Sequence, residues 1–204
     1  MDRINRVING ILKRHEIKTI PVEGKAVFLT FDDGPEPEIT EFVLNSLDEY
    51  GFKATFFCRG DNAEKHSKLL ALIRNEGHAI GNHTYNHLHA FKTTSKRYFK
   101  DVEKANQLLH TQLFRPPHGS LTLWSFLKLR HKYRIFHWGL NSGDSDLERF
   151  DFEKSINTLK TRTKPGAIVL FHFCHRHEKE TKLLLPAYLK WLNEQGLVSK
   201  AITL

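Results

Sequence analysis

Residues 26–57 read AVFLTFDDGPEPEITEFVLNSLDEYGFKATFF, and the fold is decided in this stretch. Residues 26–30 form a short, unbroken apolar run bounded by turn chemistry, which is the signature of a buried strand. Ile39, Phe42, Val43 and Leu47 then recur at helical spacing, and Gly51 stops the helix they define. Residues 54–57 start the next apolar run. Strand, helix and strand in that order describe a parallel pair joined by a helical crossover.

The same alternation continues in both tempo and type. A helix over residues 63–76 ends at Gly77, and residues 78–80 are apolar enough for a third strand. Tyr98, Val102, Ala105 and Leu109 mark the following helix. Further strands fall at residues 113–115, 134–138, 167–171 and 198–204, separated by helices near 121–129, 152–160 and 183–195. About seven or eight such units predict an α/β fold, a distorted parallel (β/α) barrel resembling the TIM type, with an open doubly wound sheet as the second choice. No repeat, low-complexity stretch or Gly/Ser-rich linker divides the chain, so residues 25–204 read as one domain behind a lead-in over residues 1–24.

Composition narrows the class. The chain has 204 residues, 40% apolar and 26% charged, enough to bury one core without disulfide staples. No apolar run approaches the roughly 20 residues that a membrane span needs. Cys58 and Cys174 are too few for a disulfide framework or a thiolate zinc site and read as buried thiols, with one disulfide as the minority case. The net charge of +8 is scattered along helices and not gathered into a nucleic-acid motif. No nucleic-acid partner is expected. At the N-terminus Ile4, Val7, Ile8, Ile11 and Leu12 alternate with basic residues as in an amphipathic helix. Packing on its own domain is the first reading of residues 1–14 and contact with a membrane surface the second. The absence of a secretory signal pattern predicts a cytoplasmic protein, or an exported one whose leader has been trimmed. The oligomeric state is left open.

The polar residues that look out of place sit where strands end. In a parallel barrel those ends converge on one face. Asp32 and Asp33 follow the first strand and are turned by Gly34-Pro35; two adjacent carboxylates need solvent or a cation between them, though a turn and helix cap would explain the dipeptide alone. His83 and His87, in His-Thr-Tyr-Asn-His, have the spacing that puts two imidazoles on one side of a helical turn. With 13 histidines in the chain, that pair is weak evidence alone. A carboxylate as third ligand would leave open positions, the arrangement of a catalytic metal site. Arg115-Pro116-Pro117-His118-Gly119 ends another strand, as do Asn141-Ser142-Gly143-Asp144 and Leu170-Phe171-His172. A histidine closing a buried strand is usually structural, but His172 would open onto the face of the two aspartates.

Thr30-Phe31-Asp32-Asp33-Gly34-Pro35, His83-Thr84-Tyr85-Asn86-His87, Arg115-Pro116-Pro117-His118-Gly119 and Leu170-Phe171-His172 resemble, in order, four of the five motifs of the polysaccharide deacetylase family, also called NodB-homology or carbohydrate esterase family 4. The resemblance runs from about Lys25 to the C-terminus. It implies a metal-dependent hydrolase that removes N-acetyl groups from GlcNAc-type residues of an acetylated amino-sugar glycan: a polysaccharide, a lipid-linked glycan or peptidoglycan. It implies one divalent ion held by Asp33, His83 and His87, zinc first, with cobalt, nickel or iron as alternatives. By the same resemblance Asp32 is the general base, Arg115 holds it ionised, His172 is the general acid and Asp144 supports it. A backbone N–H at His118 would help to stabilise the oxyanion, with Pro117 and Gly119 beside it on the substrate.

The chain departs from the family at three places. The fourth motif, usually of the type Asp-Ser-x-Asp-Trp, reads Asn141-Ser142-Gly143-Asp144-Ser145; His118 stands where Tyr is usual; Phe173 follows the final His. All three are expected on the substrate groove or just behind the reacting groups, and Ser145 in place of Trp predicts a groove more open and less selective for long chains than the family's, with His118 a partial replacement wall. An O-acetyl esterase or small-amide hydrolase using the same site, and a non-catalytic glycan-binding relic, are the alternatives.

Overall fold

Strand β1 (Ala26–Asp32) is buried along its whole length, as a parallel strand covered on both faces must be. In the computed structural model, which describes residues 17–204, it lies inside a sheet whose eight strands all pair in parallel. The amphipathic helix expected over residues 1–14 lies outside the described residues. The other strands are β2 (Thr55–Cys58), β3 (Ala79–Asn82), β4 (Leu113–Phe114), β5 (Arg134–Ile135), β6 (Leu140–Asn141), β7 (Ile168–His172) and β8 (Val198–Ser199), in the order β5-β4-β3-β2-β1-β7-β6 with β8 beside the start of β1.

The two edges of that sheet belong to one run of chain. Only residues 136–139 separate β5 from β6, yet Phe136 N–H donates to Phe114 O on the β4 side at 2.8 Å while Gly139 N–H donates to Ile168 O on the β7 side at 3.0 Å. The run therefore crosses the seam and curls the sheet into the distorted barrel. Residues 17–20 fill the seam, with Ile17 bridged to Phe136, Thr19 to Ala167, and Ile20 N–H donating to Gly166 O at 2.8 Å. The lead-in is thus part of the barrel from residue 17 onward.

Strand periodicity sorts the core into two layers. Val27, Leu29 and Phe31 face outward and join a cluster with Ile39, Val43 and Leu47, all essentially inaccessible. Those three belong to helix α1 (Ile39–Asp48), the one their spacing predicts. Each such side chain contributes on the order of 1.5–3 kcal/mol on burial. Phe28 points the other way, into an interior layer of Phe57, Leu113, Phe136, Ile168 and Ile202 contributed by strand and loop segments. Above it Thr30 and Asp32 continue the inward row toward the C-terminal mouth.

Helices α2 (Gly60–Lys65), α3 (Ser67–Asn75), α4 (Ser95–Leu109), α5 (Leu123–Leu129), α6 (Phe152–Arg162) and α7 (Glu178–Glu194) complete the units. The single helix expected over residues 63–76 is two, broken at His66, whose backbone leaves the helical region. The break lets α2 lie against α4 while α3 covers β3. The C-terminal strand is shorter than expected: beyond Ser199 the chain turns inward, and Ile202 N–H donates to Thr55 Oγ1 at 2.8 Å to plug the interior layer.

Candidate active site

Arg115 is a fully buried charge just beyond β4. Its Nη1 donates to Asp32 Oδ1 and to Thr30 Oγ1, each at 2.8 Å, and Nη2 donates to His137 O at 2.8 Å. The guanidinium lies over the Phe57 ring with its carbon 4.1 Å from the centroid. Burial pushes Arg115 below its usual value and Asp32 opposes that shift. The pair holds Asp32 in one orientation, with Oδ2 3.8 Å from His83 Nε2.

Asp33, His83 and His87 are brought together as expected of a ligand set, with one donor atom from each within 4.8 Å of the others. His83 Nδ1 lies 2.8 Å from Arg115 O, which makes Nδ1 the protonated nitrogen and leaves the Nε2 lone pair toward the carboxylates. Burial pushes His83 down to about 4, so it stays neutral and able to ligate. Asp33 Oδ1 is 3.1 Å from His87 Nε2 and 3.6 Å from His83 Nε2. It is nevertheless a buried oxygen with no hydrogen-bond partner of adequate geometry. Burial pushes Asp33 up, but the two imidazoles override it and hold the carboxyl well below the usual carboxylate range. A fixed anionic oxygen without a donor, facing two histidines, fits a cation.

The histidine pair does not sit on a helical turn. Residues 83–89 are an irregular loop in which Thr84 and His87 take positive φ, 64° and 54°. The loop is strapped to α4: the buried Asp101 carboxylate accepts from the N–H groups of Tyr85 and Asn86 at 2.9 Å each. Asn82 Oδ1 accepts from Thr84 N–H at 2.8 Å, and its amide donates to Val102 O at 3.0 Å. Asn62 donates to Asp33 O at 2.8 Å and so fixes the other ligand. Asp101, Asn82 and Asn62 were not among the sequence-derived site residues.

His172, at the end of β7, is the register partner of Asp32 on β1. Asp144 Oδ1 lies 2.9 Å from His172 Nδ1, and Oδ2 accepts from His172 N–H at 2.7 Å and from Thr181 Oγ1 at 3.0 Å. Ser142 Oγ donates to the same carboxylate at 2.8 Å. Burial pushes the imidazole down, yet Asp144 overrides it and holds His172 at about 9.

Asp32, Asp33, His83, His87 and His172 line one cleft of about 310 Å³, with His118, Gly119, Trp138 and Ser145 around its walls. His118 is exposed, in the left-handed region at φ 58°, its ring 4.7 Å from His87 and 4.9 Å from His89. Pro117 is buried instead of facing the cleft: it opens the tight turn Pro117–Gly119 and presents His118 and Gly119 in its place. Phe173 does not face the groove either. It is inaccessible, its ring 5.0 Å from that of Phe56 and 6.5 Å from that of Phe31, and a Cβ on Gly34 would stand 2.5 Å from it. The cleft is not without an aromatic wall where Ser145 replaces Trp: Trp138 lines it. A Cβ on Gly119, at φ 61°, would stand 2.7 Å from that indole, so the glycine admits it. Arg176 and His177 also reach the cleft and had no motif to announce them. Cys58 and Cys174 are buried free thiols.

The polysaccharide deacetylase family model matches residues 19–131. A peptidoglycan-N-acetylglucosamine deacetylase of Bacillus cereus is 34% identical over 74% of this chain and 57% of its own length; a second from the same organism is 31% identical over 87% and 86%. The chain thus spans little over half of the first relative and most of the second. A chitooligosaccharide deacetylase of Azorhizobium caulinodans is 30% identical over 72% of this chain and 73% of its own. Among solved structures, a peptidoglycan N-acetylglucosamine deacetylase in complex with a naphthyl N-hydroxybenzamide superposes with a TM-score of 0.86 at 27% identity, over 94% of this chain and 92% of that one. A mutant of a family 4 pseudoenzyme with restored enzymatic activity has a TM-score of 0.78 at 25% identity, over 91% and 68%. The matched family model, relatives alike over most of the chain, and a barrel whose motif residues converge at one mouth establish that the chain belongs to the polysaccharide deacetylase family, the NodB-homology carbohydrate esterases.

Proposed function

We propose that the protein is a metal-dependent hydrolase that removes N-acetyl groups from GlcNAc-type residues of a glycan, in the manner the names of its relatives describe. The observation that carries this reading is that Asp32, held by Arg115, and His172, paired with Asp144, open into one cleft with a ready ligand set. A fold that also supports a pseudoenzyme gives no activity by itself, so the weight rests on these side chains.

Asp33, His83 and His87 hold the ion in this reading, zinc in the first instance. When bound it supplies positive charge that polarises an acetamide carbonyl and acidifies water. Asp32, oriented by the Arg115 guanidinium, takes the proton from the attacking water. His172, protonated at neutral pH and anchored through Nδ1, gives its Nε2 proton to the departing amine. The left-handed backbone at His118 and the flat Trp138 face position the sugar. Arg115 lies beneath Asp32 and does not reach the substrate.

The test is acetate release from N-acetylglucosamine oligomers by protein that has been chelated and then reloaded with zinc, with O-acetylated xylan as the competing substrate. Activity lost on chelation, restored by zinc and greater on the N-acetyl substrate supports the proposal. Release unchanged by chelation, or confined to the O-acetyl substrate, overturns it.

A further inference from the structure

Cys174, His177 and Asp33 form a second group of ligating atoms, one from each lying within 4.8 Å of the other two. Cys174 and His177 are 6% and 5% exposed, and the proposed mechanism uses neither. His177 Nδ1 is a buried nitrogen with no hydrogen-bond partner, and Asp33 Oδ1 is in the same condition. Native interiors rarely leave such atoms unpaired without a reason. The short 3₁₀ turn His175–His177 holds the two side chains together, with His177 N–H donating to Cys174 O at 3.1 Å. Thiolate, imidazole and carboxylate make a softer donor set than two imidazoles and a carboxylate, and one that suits Zn²⁺ or Cd²⁺.

We propose that Asp33, Cys174 and His177 form a second, inhibitory site for a thiophilic divalent cation, sharing Asp33 with the His83–His87 set. Binding there replaces the S–H bond of Cys174 with a metal–sulfur bond and releases the thiol proton to solvent. The His177 ring is 4.8 Å from that of His172 and lines the cleft, so an ion held by it sits against the proposed acid and draws Asp33 away from the other histidines. Excess zinc then slows turnover by occupying this site.

The test is a Cd²⁺ titration of the full chain, read by the ultraviolet charge-transfer band of a cadmium–thiolate bond. The H83A/H87A protein should develop the band and saturate near one equivalent, and C58S should leave it in place. Adding C174S should abolish it, and H177F, which keeps the volume and removes the nitrogens, should weaken the apparent affinity at least tenfold. No band in H83A/H87A, or a band that survives C174S, overturns the site. A second arm compares inhibition by excess zinc in wild type and C174S, where equal inhibition overturns its inhibitory role. The absorption arm needs no turnover, so its result stands whether or not the deacetylase reading does.

Discussion

Replacing Asp144 by Asn tests the acid half of the site with little change of shape. His172 is held at about 9 against an ordinary 6.5, although burial alone pushes it down; the Asp144 carboxylate is the largest influence raising it, and Asp32 and Asp33 add to it. Removing a neighbouring opposite charge lowers the imidazole by about 1–3 pH units, worth about 1.4–4 kcal/mol. At pH 7.5 nearly all of His172 is protonated in the wild type, and a smaller share would be in the variant. The assay is kcat/KM against pH on a zinc-loaded protein. The wild-type alkaline limb should fall near pH 9, and that of D144N should fall about 1–3 pH units lower. Asn also meets donors with its amide, since Asp144 accepts from His172 N–H and Thr181 Oγ1, so a stability loss of about 1–3 kcal/mol is expected beside the kinetic one. An alkaline limb unmoved in a D144N protein that stays folded would refute the pairing as the source of the acid.

The same coupling makes stability depend on pH: because His172 is raised above its unfolded value, its contribution is fully present below pH 6.5 and lost as pH rises through about 9, which denaturant melts across that window should show. H83A or H87A should lose the ion on dialysis while keeping the barrel, since both residues stand on a loop beyond β3; full metal content after dialysis would refute the ligand assignment. Asp32→Asn should keep the ion and lower kcat about 100-fold or more. It also leaves the buried Arg115 without its countercharge, so melting should report a loss approaching about 3 kcal/mol. Trp138→Ala should raise KM on longer oligomers about tenfold with little change in kcat, the loss of one aromatic face; an unchanged KM would remove Trp138 from the substrate.

The barrel was legible because β1 is an unbroken apolar run, buried on both faces, and the helical stripe of α1 is regular. The site was legible where a motif is local, as in Asp32-Asp33 or His83 to His87. What could not be read depends on chain that is remote in sequence. Splitting the run at residues 134–141 into β5 and β6 follows from the seam, which no local pattern encodes. Trp138 becomes a cleft wall only because Gly119 makes room for it. The loop shape around His83 and His87 is set by Asp101 on another element. Asp101 did leave a signal: it falls on the same face of α4 as Tyr98, Val102 and Ala105, and an acid on an apolar stripe calls for buried donors. Arg176 and His177 left none, since their approach depends on how the turn after β7 meets the mouth.

Adjacent residues of a strand point to opposite faces, so Asp32 and Asp33 should not meet in one cleft. Asp32 obeys the alternation and points inward to Arg115. Asp33 escapes it by leaving the strand at φ 83°, which carries its carboxylate to the same mouth. His87 and His118 reach that mouth through the same left-handed region. Such conformations cost non-glycine residues on the order of 1–3 kcal/mol each and persist only where the surroundings over-determine them. Here Asn62 grips the Asp33 carbonyl and Asp101 grips the N–H groups of the loop that carries His87. The ligands are therefore held by hydrogen bonds that do not involve an ion, and the geometry of the site belongs to the barrel and its loops before any cation arrives.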